Sequence, residues 1–142
     1  MSKDIEFPRP LPALTVDSTA FWRDGARGVL SIYRCQECSY YVHPPVEFCP
    51  RCESRKVAAE AVSGHAHVVT FTVNHKQWMP GLPVPYVLAL VAIDEQEDVR
   101  LATNIVDCPP ENVHIGMKVT VRFEPHDDVW VPLFAPRSEN VR

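Results

Sequence analysis

The sequence predicts a mainly β protein: a short N-terminal helix, a four-cysteine ribbon, then a small antiparallel barrel. Three observations carry that reading. Two C-x2-C pairs, Cys35/Cys38 and Cys49/Cys52, stand ten residues apart. Beyond Cys52, six segments rich in Val, Thr, Tyr and Phe alternate apolar with polar residues and are separated by turn formers. Fourteen prolines against five glycines break up any long helix, which excludes a bundle.

Residues 1–28 form an arm and a helix. Pro8, Pro10 and Pro12 keep the arm extended, and Ile5, Phe7, Leu11, Leu14 and Val16 give it apolar residues with which to dock. Asp17-Ser18 reads as a helix N-cap ahead of Phe21, Trp22 and Ala26, and Gly28 is placed to stop the helix. Gly25 weakens it. Residues 29–56 form the ribbon: the strand Val29–Tyr33 runs into Cys35, and Tyr40-Tyr41-Val42 lies between the cysteine pairs. Residues 57–142 form the barrel and a C-terminal tail. Its strands are expected at Val57–Val62, His67–Asn74, Tyr86–Ile93, Arg100–Val106, Lys118–Phe123 and Val129–Phe134. Turns fall at Ser63-Gly64, Pro80–Pro85, Glu95–Asp98, Pro109-Pro110 and Glu124–Asp128, with a helical turn within Pro110–Gly116. Five or six strands at these intervals suit a small barrel.

The cysteines are the strongest chemical signal. A C-x2-C turn aims two sulfurs at one point, and two such knuckles close a tetrahedron around a metal with Zn–S near ~2.3 Å. Four protein ligands leave no open position, so the role is structural, and metal binding supplies folding free energy that so short a segment lacks. A redox dithiol needs one C-x2-C on a thioredoxin-like βαβ scaffold, and neither pair has one. Disulfides conflict with an acidic-mixed N-terminus that lacks the apolar stretch of a secretion signal. Iron instead of zinc stays open for a four-thiolate site.

Composition narrows the rest. Fourteen Lys and Arg face eighteen Asp and Glu, a formal −4, and four thiolates (−4) around one Zn²⁺ (+2) make it −6. Such a surface is a poor attractor for phosphate backbones. The apolar run Tyr86–Ile93 is far short of a membrane span, so the expected setting is the cytoplasm, with no membrane contact. No GxSxG, HExxH, GxxxxGK[ST] or GxGxxG occurs. His65 and His67 share one strand face with no third ligand nearby, His43 packs locally before Pro44-Pro45, and Cys108 lacks a neighbouring base. The loop from His75 to Tyr86 carries Lys76, Trp78 and Met79 between prolines. It is either a rigid binding surface or a cap on the barrel end.

Taken in order, these motifs resemble the zinc-ribbon plus OB-fold acyl-CoA-associated proteins, a family long known only as a domain of unknown function. The resemblance rests on Phe21-Trp22 to Gly28, Cys35/Cys38, His43-Pro44-Pro45, Cys49-Pro50-Arg51-Cys52 and Val62-Ser63-Gly64. It continues through Val69–Val73, Pro80-Gly81, Pro85-Tyr86, Asn104-Ile105-Val106, Ile115–Val119 and Pro132-Leu133-Phe134, spanning residues 17–136. Two departures stand out. Ser39 and Glu53 follow the two knuckles where the family often has Gly, and Glu95-Gln96-Glu97-Asp98 replaces an acidic-Gly turn. The resemblance implies a rubredoxin-like zinc ribbon with structural Zn²⁺, and a five-stranded OB-fold barrel.

It further implies a non-catalytic accessory subunit of a thiolase-fold enzyme that makes or breaks C–C bonds in acyl-CoA substrates. A steroid side-chain retro-aldolase or thiolase complex is the expected chemistry. The acyl-CoA is held mainly by the partner, in an assembly with two copies of each chain. No catalytic residue is assigned to this chain. Phe7, Leu11, Phe21, Trp22, Trp78 and Tyr86 are the expected partner contacts, and Lys76 is the candidate for a coenzyme A phosphate. The alternative is a single-stranded nucleic-acid module, with Tyr40, Tyr41, Phe71 and Trp78 as stacking platforms.

Overall fold

The computed structural model describes residues 9–138. The helix α1 (Thr19–Arg23) passes into a 3-10 turn at Asp24–Arg27. Ser18 takes the N-cap position without a side-chain cap, and Gly28 ends the segment in the left-handed region at φ 74°. Gly25 has a reason to be glycine. A Cβ there would lie 2.5 Å from the Phe123 ring and 2.6 Å from Trp130 Cβ, because the turn presses directly on the barrel.

The first sheet holds β1 (Leu30–Cys35), β2 (Tyr41–Val42) and β3 (Val57–Val62), in the order β2-β1-β3. The sequence reading grouped Val57–Val62 with residues 57–142 as part of the barrel. Hydrogen bonding places it in the ribbon sheet instead: all six of its residues pair antiparallel with β1, from Leu30↔Val62 to Cys35↔Val57. Alternation alone gives a strand's faces but not its neighbour.

The second sheet is a closed barrel of β4 (His65–Asn74), β5 (Tyr86–Ile93), β6 (Gln96–Ile105), β8 (Val129–Pro136) and β7 (Lys118–His126). Neighbours run antiparallel except β6 and β8, which meet in parallel at Ile105↔Phe134. The barrel has no lumen. Val68, Ala89, Val91, Leu101, Val119 and Phe134 turn inward and are buried, as five strands leave room for side chains only.

Two turns are tighter than their sequence implied. The expected turn Glu95–Asp98 shrinks to Asp94-Glu95, and Glu124–Asp128 to Asp127-Asp128 with Asp127 at φ 58°. At the first, Gln96 is drawn into β6 because its amide pairs with the Tyr41 backbone across the two sheets. Tyr41 N–H donates to Gln96 Oε1 at 3.0 Å, and Gln96 Nε2 donates to the Tyr41 carbonyl at 2.9 Å. The expected helical turn is a 3-10 turn at Pro110–Asn112.

Gly25→Ala is expected to destabilise the fold by about 1–3 kcal/mol through overpacking against Phe123 and Trp130. Thermal unfolding measures this, and an unchanged midpoint would refute the close approach.

Candidate functional site

Two knuckles bring four sulfurs together. Cys35 closes β1, Cys38 follows in the turn, and Cys49 and Cys52 form the second knuckle. All four Sγ atoms lie within 4.8 Å of one another, with Cys35–Cys52 at 3.5 Å and Cys38–Cys49 at 3.6 Å. A tetrahedron with Zn–S bonds of ~2.3 Å has edges of about 3.8 Å, so the donor set fits one zinc ion. Cys35 and Cys49 are buried, while Cys38 and Cys52 face outward. Backbone N–H groups of Cys38 and Glu37 donate to Cys35 Sγ at 3.4 Å each, and Arg51 N–H donates to Cys49 Sγ at 3.3 Å. The Cys38 and Glu37 donors hold the Cys35 thiol down at about 6 against its burial, favouring the thiolate that a metal requires.

Ser39 (φ 70°) and Glu53 (φ 67°) sit in the left-handed region directly after each knuckle. Their N–H groups donate to the carbonyls of Cys35 (3.0 Å) and Cys49 (2.9 Å), which closes each turn. The knuckle geometry thus survives without glycine, in a region that costs an L-residue about 1–2 kcal/mol.

A polar lock joins the ribbon to the barrel beside the metal centre. Tyr40 Oη donates to Asp98 Oδ2 at 2.7 Å, Gln96 Nε2 reaches Asp98 Oδ1 at 2.9 Å, and the Arg51 guanidinium lies 4.9 Å from the Tyr40 ring centre. The bond from Tyr40 keeps the Asp98 carboxyl below its ordinary range, and the same bond pushes the Tyr40 phenol up. Tyr41 is buried under the Arg34 guanidinium. Both tyrosines are therefore committed to internal contacts instead of base stacking.

The expected partner contacts divide. Trp78 is 63% exposed, its indole N–H donating to Asn74 Oδ1 at 2.9 Å, and Lys76 Nζ sits 4.4 Å from its ring centre. Trp78 is therefore a presented side chain and not a barrel cap. Leu11 is exposed, and Trp22 and Tyr86 are half-buried. Phe21 is a correction: it is 8% exposed in the core, with its ring 4.9 Å from Trp22 and 5.1 Å from His43, and it has no face left for a partner. Burial pushes the His43 imidazole's pKa down. Phe7 lies outside the described residues.

Trp78, Met79, Leu82, Pro85 and Tyr86 line one side of a groove of about 900 Å³, whose other side includes Arg9, Asn104, Cys108 and Glu124. Sequence reading missed the polar cluster at its rim. Arg9 reaches Glu124 Oε1 at 2.5 Å and Asn104 Oδ1 at 3.1 Å, and His126 Nε2 lies 2.8 Å from the same Glu124 oxygen. Burial raises the Glu124 pKa, but His126 and Arg9 outweigh it and hold the carboxyl below its usual range. These residues are up to 117 positions apart in sequence, so no local motif announces them. His67 lies 3.3 Å from Glu97, and the cysteines form the one metal-suited cluster among the described residues.

Comparison with known proteins agrees with this architecture. Residues 22–58 match the family model of the ChsH2 rubredoxin-like zinc ribbon domain, and residues 59–124 that of the ChsH2 C-terminal OB-fold domain. The chain belongs to the ChsH2 zinc-ribbon and OB-fold family. Among solved structures, it is similar to a ChsH2-family chain of the Ltp2-ChsH2(DUF35) aldolase. The two share 35% identity and a TM-score of 0.77, over 89% of this chain and 98% of that one. It is also 36% identical over 130 residues to the probable enoyl-CoA hydratase alpha subunit of Thermomonospora curvata. That match covers 90% of this chain and 40% of the relative. The 3-oxo-4,17-pregnadiene-20-carboxyl-CoA hydratase alpha subunit of Mycobacterium tuberculosis is 32% identical over 126 residues, 85% of this chain and 39% of the relative. The chain therefore spans about two-fifths of the length of these hydratase subunits.

As purified, the ChsH2-family chain is expected to carry one zinc per chain by mass spectrometry, and Cys49→Ser is expected to lose it. Full zinc content in that variant would contradict a four-thiolate centre. Ser39→Gly and Glu53→Gly are each expected to stabilise the fold by up to ~1 kcal/mol once glycine's greater unfolded freedom is counted, seen as a raised unfolding midpoint. A fall would show that these side chains stabilise the knuckles in another way.

Proposed function

We propose that this chain is a non-catalytic accessory subunit of a thiolase-fold enzyme that cleaves or forms C–C bonds in acyl-CoA substrates. The carrying observation is the near-complete match to a chain of an aldolase: 98% of that chain is covered at a TM-score of 0.77. A barrel interior filled with apolar side chains and a cluster of four cysteines suited to a closed, structural metal site both support an accessory role. The reaction class follows the aldolase: retro-aldol cleavage of a β-hydroxyacyl-CoA into a ketone and a shorter acyl-CoA. The pregnadiene substrate in the M. tuberculosis relative's name supports a steroid side chain as the acyl group.

In this reading the partner supplies the catalytic groups and holds most of the acyl-CoA. Lys76, exposed beside Trp78, offers a cation for a coenzyme A phosphate. Two copies of each chain form the natural two-fold assembly, working in the cytoplasm. A second reading has its own observation. In two hydratase alpha subunits this architecture accounts for about two-fifths of the chain, which favours service to an enoyl-CoA hydratase.

Co-expression with thiolase-fold and hydratase-fold chains of the same host separates the two. The accessory reading expects stable co-purification with the thiolase-fold chain and cleavage of β-hydroxyacyl-CoA by the pair, with this chain alone inert. Co-purification with the hydratase chain alone, and hydration of an enoyl-CoA, would transfer the role. Trp78→Ala is expected to weaken partner binding at least tenfold in a titration while the unfolding midpoint holds.

A further inference from the structure

The outer surface of β5, with its two neighbours, carries no charge over three rows of side chains. Leu90 lies between Thr70 and Ala102, Leu88 between Thr72 and Asn104, and Tyr86 beside Asn74. Leu88 and Leu90 are 47% and 37% exposed, an aliphatic ridge facing solvent in a chain with 32 charged residues. At one end the patch runs into the Trp78 loop, because Asn74 accepts the Trp78 indole N–H. At the other it stops at Arg100, which shares the outer face of β6 with Ala102 and Asn104.

The position of this patch is informative. β5 and β6 are the second and third strands of the barrel, the surface on which OB folds bind oligonucleotides and oligosaccharides, together with the loop between the first two strands. Here the three rows of strand residues contribute no cation for a phosphate backbone, the neighbouring Arg9 at Asn104 is paired with Glu124, and Tyr86 is the one aromatic among those rows. The core of a protein interface is apolar and depleted in charge, as this strip is, and is often anchored by an aromatic such as Trp78.

We propose that the outer face of β4–β5–β6, continued by the Trp78 loop, docks the partner enzyme subunit, which meets it with an uncharged, mainly apolar strip. This inference rests on the accessory reading above. A second copy of this chain fits the face poorly. Five residues along three strands give on the order of 250 Å², well below the ~800 Å² per partner of a stable interface. Any face-to-face two-fold pairing also brings Lys76 and Arg100 at the two ends against themselves or each other. A larger subunit spanning both the ridge and the loop, with Trp78 as anchor, escapes both limits.

The test titrates the thiolase-fold subunit with the wild-type chain, Leu88→Glu, Leu90→Glu and, on the outer face of β7, Lys118→Glu. Zinc content, unfolding midpoint and sedimentation of each chain are measured alongside. The expected result is at least tenfold weaker binding for both leucine variants, wild-type affinity for Lys118→Glu, and unchanged zinc and stability. Wild-type affinity in the leucine variants would overturn the docking face and leave the accessory role standing. No binding by the wild-type chain would overturn the role and the docking face together. A wild-type dimer that Leu88→Glu converts to monomer would assign the face to a second copy and overturn the proposal.

Discussion

The convergence of four thiolates on one metal is the constraint on which the ribbon depends. Apart from β1, the segment from Cys35 to Lys56 contains only the two-residue strand β2, and its buried apolar contribution is Tyr41 and Val42 beside the cysteines themselves. Too little apolar surface is removed from water there to offset chain ordering, so the metal–sulfur bonds must supply the difference. The consequences spread outward. Cys35 ends β1, so fixing its sulfur fixes a strand whose other edge pairs with all of β3. Tyr40 and Tyr41, held between the knuckles, then reach Asp98 and Gln96 on β6. The ribbon is thereby oriented on the barrel by hydrogen bonds as well as by the apolar core that Leu30, Ile32 and Tyr41 share with the barrel's inward side chains.

The barrel has a different source of stability. Its strands close on one another, and Phe134, Val91, Val119 and Val68 fill the interior at essentially zero exposure. A filled barrel works through its outside. Here the outside carries a groove beside the Trp78 loop, a polar rim at Arg9, Glu124 and His126, and an uncharged strip along β5. An accessory subunit needs just such a division: a rigid interior and an exterior shaped for another molecule.

Much of this was legible in the sequence because the determining signals are local. Cysteine spacing alone specifies the knuckles, and Tyr86–Ile93 is bounded so clearly by Pro85 and Asp94 that the strand ends where the alternation does. What was illegible depends on contacts far apart in the chain. Val57–Val62 reads as a strand, but only β1 decides which sheet it joins. Phe21 looks like a presented aromatic on a short helix until the core closes over it. Gln96 sits among turn formers, and its place in β6 is set by Tyr41, 55 residues earlier. The uncharged strip was equally hidden, since Thr72, Leu88 and Asn104 form a row only once three strands are in register. The left-handed residues that close the two knuckles, Ser39 and Glu53, show the reverse case. The motif stated the turn, and the residue type gave no sign of the φ it adopts.

The central claim is that a metal-dependent ribbon sits on a barrel that is stable in its own right, and amide hydrogen exchange before and after zinc chelation tests it most directly. The account predicts that chelation removes protection from β1, β2 and β3 while Val91, Val119 and Phe134 keep theirs. Retained protection across the ribbon, or loss of protection throughout the chain, would contradict it.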